Sequence, residues 1–253
     1  VATRTQGALG EQDPAEWDAA LEDALAEAAL AGVKPAAVAA SGPLAGYVPI
    51  DALGVALAPA AMYFDRRSQP DLAKLESAEG PRPDGLRPTI ADPVPHLLRL
   101  MRERADLLPR LAHLLDATGF LVQRLTGRPT VDFYTSLRLP GPDLGQRLDV
   151  DRSLFGQAVQ LGERVGNLSQ RFARLFGGHP IPVIGATFDS KCAYVASGLT
   201  KDGEALDISG TVTSFGVFSG QRVVDAGRRI YAVPYDGGWL ARGSMGATGG
   251  VPE

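Results

Sequence analysis

Hydrophobic residues recur at helical spacing near the start of the chain. Trp17, Leu21 and Leu25 are four residues apart, which predicts an amphipathic helix over residues 14–31. Asp13 precedes this run and a proline opens it. An N-cap carboxylate accepts from the unpaired N–H groups of the first turn, and proline needs no donor there. The first helix is therefore expected to begin directly after Asp13.

Short apolar runs bounded by turn residues predict strands, and longer periodic runs predict further helices. Strands are expected at residues 33–40, 47–50 and 57–64, with a hairpin turn at Asp51–Gly54. Helices are expected at residues 96–104, 109–125, 154–161 and 167–176. Residues 77–95 are rich in proline, glycine and charge, which indicates a surface loop or a lid. This mixture predicts an α/β or α+β sheet of mixed strand order covered by helices.

Two stretches of the second half combine strands with polar residues at their ends. An apolar strand at residues 181–184 leads to Asp189 and a helix at about 191–197, and two strands in residues 205–218 flank Gly210-Thr211. Ligands of α/β proteins collect at the carboxyl ends of strands, where a carboxylate can act as a base and a Gly/Thr turn can bind phosphate. From these residues alone, Asp189 could equally be a helix N-cap, and an ordinary hairpin turn is the simpler interpretation of Gly210-Thr211.

The composition excludes several classes of protein. The chain has 253 residues, of which 45% are hydrophobic and 21% charged, and a net charge of −4, which does not indicate a nucleic-acid-binding surface. It contains no apolar run long enough for a membrane-spanning helix and no signal-peptide pattern at its start. The lone Cys192 forms no internal disulfide, which suits a reducing cytoplasm, and it is expected to be a small packing residue rather than a nucleophile. The three histidines show no ligand spacing, so no protein metal site is predicted.

Seven motifs occur in one order along the chain. They are Asp13-Pro14-x-x-Trp17; Ser41-Gly42 with Val48-x-Ile50-Asp51; Tyr63-x-Asp65-x-Arg67-Ser68; Leu121-x-x-Arg124-Leu125-Thr126-Gly127 with Asp132; Gly162-x-x-x-Gly166-x-Leu168-Ser169; Pro182-Val183-x-Gly185 with Asp189; and Gly210-Thr211-x-Thr213-Ser214. Through these motifs the chain resembles the FGGY carbohydrate kinases, in particular their xylulokinase-like members. Each motif alone is weak, but seven in the order and spacing of one family form a specific pattern.

The resemblance implies an α/β, actin/hexokinase-like (ribonuclease H-like) fold with a mixed sheet covered by helices. It implies that residues 1–187 are a sugar-binding N-terminal domain and that residues 188–253 begin a nucleotide-binding C-terminal domain. In the family, a phosphate loop would precede Val1 and most of the second domain would follow Glu253, so the chain is expected to be part of a longer protein.

The resemblance also assigns roles on the nucleotide side. Asp189 matches the catalytic base, and Gly210, Thr211 and Ser214 match the turn that holds nucleotide phosphates. The implied cofactors are ATP and Mg²⁺, and the ion would arrive with ATP, held mainly by phosphate oxygens and water. A carboxylate within reach of the attacking hydroxyl would remove its proton while the phosphoryl group leaves ADP.

On the sugar side, the matching positions are Leu44, Ala45, Tyr63, Asp65, Arg67 and Ser190. Leu44 and Ala45 depart from the Met-His pair of xylulokinase-like proteins, and neither side chain can form a hydrogen bond. Tyr63 stands where many members place a tryptophan against the sugar carbons. Arg67 could contact the sugar or pair with Asp65 to fix the wall of the site, and both alternatives remain open.

The expected function is ATP-dependent phosphorylation of a small sugar hydroxyl, with a ketose such as xylulose as the favoured substrate. The alternative from a different class is a non-catalytic sugar-binding or regulatory protein on the kinase fold, and a structural ATPase-fold domain without a sugar site is a third. The expected partner is a small-molecule sugar, with no nucleic acid and no membrane, and a homodimer is left open. The expected location is the cytoplasm.

Overall fold

The chain divides into two compact units. The computed structural model describes residues 1–80, 82, 85–209, 212–225, 227 and 229–246. The first unit comprises Val1–Ala78 with Thr89–Asp189, and the second comprises Glu79–Pro88 with Ser190–Glu253. The assignment of these parts to sugar and nucleotide binding stays a prediction.

The first unit contains seven α-helices and ten strands within its described residues. The helices are α1 (Pro14–Leu30), α2 (Gln69–Ala78), α3 (Pro93–Glu103), α4 (Ala117–Thr126), α5 (Phe133–Ser136), α6 (Pro142–Leu148) and α7 (Gln170–Ala173). The strands are β1 (Thr3–Gln6), β2 (Leu9–Gln12), β3 (Val38–Ala39), β4 (Ala45–Ile50), β5 (Ala60–Met62), β6 (His113–Leu115), β7 (Thr130–Asp132), β8 (Gln157–Val159), β9 (Arg164–Asn167) and β10 (Pro182–Ile184). Helix α8 (Asp189–Ser197) begins at the last residue of this unit. The second unit continues with β11 (Ala205–Ile208), β12 (Val212–Ser219), β13 (Tyr231–Tyr235) and β14 (Gly238–Gly246).

The strands form sheets of both parallel and antiparallel type. In the first unit, an antiparallel sheet has the order β1-β2-β5-β4-β6, and a second sheet has the order β3-β10-β9, with β10 parallel to β3 and antiparallel to β9. Strands β7 and β8 form a parallel pair. In the second unit, an antiparallel sheet has the order β11-β12-β14-β13. The predicted α/β class with a mixed arrangement of strands is confirmed.

Strand β4 is buried on both of its faces, which explains its apolar sequence. Tyr47 packs with Leu97 and Leu98 of α3 on one face. Val48 and Ile50 pack on the other face with Trp17 of α1 and with residues of α4 and β6. Successive side chains of a strand alternate between faces, so a strand covered on both sides needs apolar residues at every position. A further core joins α1, α4 and α7 to β10.

Local sequence signals placed some elements correctly. Helix α1 begins at Pro14, and the Asp13 carboxylate accepts from the Ala15 amide at 3.0 Å, as expected. The predicted turn after β4 is present, with the Gly54 amide donating to the Asp51 carbonyl at 2.9 Å. Several bounds differ: the strand expected at 33–40 is only Val38–Ala39, and the strand expected at 57–64 is Ala60–Met62.

Other expectations were wrong because tertiary pairing overrides local helical pattern. The helix expected at residues 109–125 is a strand, β6, followed by α4, since Leu115 pairs with Val48 at the edge of the five-stranded sheet. The helix expected at 154–161 is a short 3-10 turn followed by β8, which pairs with β7. The hairpin of β1 and β2 was not predicted, because β1 is polar and exposed and β2 carries one large apolar residue, Leu9.

An ion cluster fixes that hairpin to the residues after β5. The Asp65 carboxylate is fully buried and accepts from the Gly10 amide at 3.1 Å and from the Arg67 side chain. Arg67 also pairs with Glu11 of β2 at 2.6 Å. Burial alone would raise the pKa of Asp65, but the hydrogen bonds from Arg67 and Gly10 outweigh it and hold that pKa below its usual value.

Arg67→Met should destabilise the protein by about 2–4 kcal/mol, because it leaves the buried Asp65 carboxylate without its cation. Urea denaturation measures the loss. Arg104→Met is the matched control, since its partner Asp106 is exposed, and it should change stability by less than about 1 kcal/mol. Equal effects of the two substitutions would contradict the role given to the Asp65 cluster.

Candidate functional site

Asp189 lies at the end of the segment that follows β10 and is exposed. Helix α8 begins at Asp189 itself, so the residue lies in the first helical turn rather than at the cap of a helix starting near Lys191. Its backbone amide donates to the Gly42 carbonyl at 3.0 Å. A carboxylate in a first turn is favoured by the helix dipole. The predicted base is thus accessible to a ligand and tied through its backbone to the Ser41-Gly42 loop.

The Ser41-Gly42 loop passes very close to the start of α4. The Gly42 amide donates to the Thr118 hydroxyl at 3.1 Å, and the Ser41 hydroxyl donates to the Thr187 carbonyl at 2.7 Å. A Cβ atom at Gly42 would lie 2.7 Å from the Cβ of Ala117, which is closer than real side chains approach. Only glycine fits at this point without moving the helix.

The next residues form a strained turn into β4. Ala45 has φ of 62°, a left-handed conformation that costs a non-glycine residue about 1–2 kcal/mol, and Gly46 follows with φ of 78°. The Ala45 side chain is buried in the core, whereas the Leu44 side chain is 36% exposed. Of these two predicted substrate-binding residues, Leu44 exposes part of its side chain to solvent, whereas Ala45 is buried and forms part of the turn into β4.

The remaining predicted sugar residues of the first unit follow β5. Tyr63 is half-buried and packs edge-on against Phe64, with ring centroids 4.9 Å apart. Asp65 and Arg67 are engaged in the ion cluster described above. Their geometry favours the structural alternative, in which they fix a wall of the site.

A buried pair of carboxyl groups lies next to these elements, and its importance was missed from the sequence. Asp116 precedes α4 and accepts from the Gly119 amide at 2.6 Å, while Asp132 ends β7 and accepts from the Thr187 hydroxyl at 2.7 Å. The two carboxyl groups are within hydrogen-bonding reach of each other. Burial and then the Asp132 carboxylate raise the pKa of Asp116 to about 8. The available signal was an aspartate directly after an apolar run, but that run was assigned to a helix.

The predicted phosphate turn lies in the second unit and is described only in part. Gly210 and Thr211 lie outside the described residues. Ser214 is buried on β12, where its carbonyl accepts from the Tyr194 hydroxyl at 2.8 Å and its own hydroxyl is bonded to Arg242. The Ser214 hydroxyl is therefore engaged inside the second unit. The predicted substrate residue Ser190 is half-buried in α8.

In the part of the chain that is described, no three His, Cys, Asp or Glu side chains converge in a way that could hold a metal ion. None of the helices described has the length and apolar character that a membrane crossing requires.

His96 is buried against Tyr47, and burial lowers its pKa to about 4. Cys192 is half-buried and is not part of a disulfide.

Solved structures of carbohydrate kinases share the fold described above. A xylulose kinase from Rhodospirillum rubrum superposes with a TM-score of 0.85 over 98% of this chain and 55% of that one, at 22% identity. A glycerol kinase from Plasmodium falciparum, solved with ADP, superposes with a TM-score of 0.84 over 97% of this chain and 55% of its own, at 14% identity. The fold is therefore the actin/hexokinase-like fold of the FGGY kinases.

Sequence comparison leads to the same group of proteins. A xylulose kinase from Streptomyces coelicolor is 24% identical over 235 residues, which are 85% of this chain and 47% of that protein. No known family model matches the chain. The chain spans about half the length of the proteins it matches. The resemblance to FGGY carbohydrate kinases that was inferred from the motifs is confirmed by the comparisons of fold and sequence.

Gly42→Ala should destabilise the protein by about 1–3 kcal/mol, because the added methyl group overlaps Ala117 and displaces the start of α4. Chemical denaturation measures the change. Gly80→Ala is the control, since nothing lies within 4 Å of an added Cβ there, and it should be neutral or slightly stabilising. The close approach of loop and helix would be refuted by a Gly42→Ala protein as stable as the parent.

Proposed function

We propose that the protein containing this chain phosphorylates a hydroxyl group of a small sugar with ATP, with Asp189 as the general base. The observation that supports this most directly is the exposed Asp189 carboxylate at the start of α8, with its backbone tied to the Gly42 carbonyl at 3.0 Å. A base must be accessible and fixed in position to take a proton from a bound hydroxyl. The likeness in fold and sequence to xylulose and glycerol kinases supports the same class of reaction.

In the proposed reaction, the sugar hydroxyl attacks the γ-phosphorus of ATP and Asp189 accepts the hydroxyl proton. The bond between the γ-phosphorus and the bridging oxygen breaks, and ADP leaves. Charge neutralisation and positioning supply most of the rate in such transfers. Gly210, Thr211 and Ser214 are proposed to belong to the phosphate-binding turn, with Mg²⁺ bound to ATP oxygens and water.

A ketose such as xylulose is the proposed substrate, because the sequence match and several structural matches are xylulose kinases. The exposed Leu44 and the half-buried Tyr63 offer apolar surface to the sugar carbons. Neither Leu44 nor Ala45 can bond to a sugar hydroxyl, so recognition of hydroxyls is assigned to backbone groups and to Ser190. The single cysteine, Cys192, which is not part of a disulfide, agrees with a cytoplasmic location.

The second candidate function is a sugar-binding or regulatory protein without catalysis. Two observations favour it: the side chains of Leu44 and Ala45 have no hydrogen-bonding groups, and Ala45 is buried. Such a protein would bind a sugar but would release no ADP in its presence.

Asp189→Asn should reduce sugar-dependent ADP release by at least about 100-fold, because an amide cannot accept the hydroxyl proton. A coupled ADP assay across ketopentoses, ketohexoses, aldonates and polyols measures the rate. Asp143→Asn is the matched control, because Asp143 is also an exposed aspartate in a first helical turn, and it should keep full activity.

Retained activity in Asp189→Asn would remove Asp189 from the role of base. If no sugar in the panel elicits ADP release from the parent protein, but calorimetry detects sugar binding, the non-catalytic function is supported instead.

A further inference from the structure

We propose that Asp132, Asp116 and Thr187 act together as positioning residues for Asp189. This inference rests on the proposed function of Asp189 as the base. None of the three need touch substrate. They hold the backbone that leads into Asp189, and a proton shared between the two carboxyl groups keeps that arrangement intact.

Asp132 is the centre of the network. It is 3% exposed, and its Oδ1 atom accepts three hydrogen bonds, from the Thr187 hydroxyl at 2.7 Å, the Tyr134 amide at 3.0 Å and the Thr135 amide at 3.3 Å. Hydrogen bonds to a buried carboxylate are among the stronger ones in proteins. The side chain of Thr187, which is fully buried, is thereby fixed to the end of β7.

Thr187 connects this carboxylate to the segment that carries the base. Its carbonyl accepts from the Ser41 hydroxyl at 2.7 Å, and two residues later the Asp189 amide donates to the Gly42 carbonyl at 3.0 Å. The segment before Asp189 is thus bonded through a side chain to β7 and through backbone groups to the Ser41-Gly42 loop. With the backbone held at these points, Asp189 has little freedom to shift.

Asp116 connects to the same loop from the other side. It caps α4 through the Gly119 amide at 2.6 Å, and the Thr118 hydroxyl of that first turn accepts from the Gly42 amide at 3.1 Å. Displacing Asp116 would therefore move the helix end on which Gly42 rests. The two carboxyl groups hold opposite sides of one loop.

The pair is stable only if it keeps one proton. Asp116 is 4% exposed, and Asp132 Oδ2 is buried with no hydrogen-bond partner among the described residues. Two ionised carboxylates in contact inside a protein repel each other strongly, so one proton is shared between them. A proton on Asp116 gives Asp132 the donor that it otherwise lacks, and the raised pKa of Asp116, about 8, agrees with this.

Among the described residues, a tyrosine and a paired arginine lie near the two carboxyl groups. The titratable group that faces the pair from β4 is Tyr47, whose own pKa is raised by burial and by Asp116. The nearby Arg138, after α5, is paired with Asp92 at 3.2 Å. The Thr135 hydroxyl also bonds to Asp116 and opposes the rise of its pKa.

The first test replaces the Thr187 hydroxyl. Thr187→Val keeps the shape but loses the bond to Asp132, and Thr187→Ser keeps the hydroxyl. In hydrogen–deuterium exchange, amides of residues 185–190 should exchange at least about tenfold faster in the valine variant, with the serine variant close to the parent. In the ADP assay, kcat should fall about 10- to 100-fold in the valine variant, with the sugar KM little changed, and should recover in the serine variant.

The exchange measurement separates this inference from the proposed function. Faster exchange in Thr187→Val, in a protein that phosphorylates no sugar, supports the network and overturns the kinase. The network is overturned if the protein is active and Thr187→Val has the same amide exchange rates and the same kcat as Thr187→Ser.

The second test does not depend on activity and applies even if Thr187→Val fails to fold. Between about pH 4 and 8 the folded protein keeps a proton on Asp116 that the unfolded chain releases, so stability should fall as pH rises. Asp116→Asn removes this titration and keeps the cap oxygen. As pH rises through that window, the unfolding equilibrium constant of the parent should increase relative to that of Asp116→Asn by up to about tenfold per pH unit.

Asp151→Asn is the matched control for the pH series. Asp151 is an exposed cap whose pKa is lowered by the Ser153 amide, so its contribution is complete above its ordinary pKa and is lost only as pH falls below it. This variant and the parent should therefore run parallel between about pH 4 and 8. If Asp116→Asn also runs parallel to the parent across that range, the shared proton is refuted and the positioning network with it.

Discussion

The close approach of the Ser41-Gly42 loop to the start of α4 is the constraint on which the candidate site depends. The loop bonds to α4 through Thr118, to the segment after β10 through Thr187, and to the first residue of α8 through the Asp189 amide. These contacts need a backbone with no side chain at Gly42, because a methyl group there would overlap Ala117. The backbone of the proposed base is therefore positioned by this packing and by the hydrogen bonds of Asp189 and Thr187 to the loop.

The buried carboxyl pair next to this loop lowers the stability of the fold, because two carboxyl groups lose their hydration. An apolar pair of the same volume would avoid the desolvation of two carboxyl groups. Such a pair could not, however, bond the Thr187 hydroxyl, two amides after β7 and the Gly119 amide at once. The pair gives directional bonds to three chain segments at one place. We therefore interpret the carboxyl pair as a feature that fixes the positions of the chain segments around Asp189.

Sequence patterns identified the features that depend on local signals. Asp189 was singled out because an acidic residue after a buried strand is a local feature, and its role as the base stays a prediction. Helix α1 was found because Asp13 and a proline mark its start. Strand β6 was missed because its pairing with β4 joins residues far apart in the chain, and its sequence continues a helical pattern. That error concealed Asp116, which is informative only as the residue between β6 and α4. The partnership of Asp116 with Asp132 is a tertiary contact, and no spacing in the sequence encodes it.

The carboxyl resonances of Asp116 and Asp132, followed by carbon-13 NMR as a function of pH, test the central claim most directly. Assignment by Asp116→Asn and Asp132→Asn separates the two groups. The shared proton predicts that the pair retains one proton at neutral pH and releases it near pH 8. If Asp116 instead loses its proton near pH 4, like an ordinary aspartate, no proton is shared at neutral pH and the positioning of Asp189 by a shared proton is contradicted.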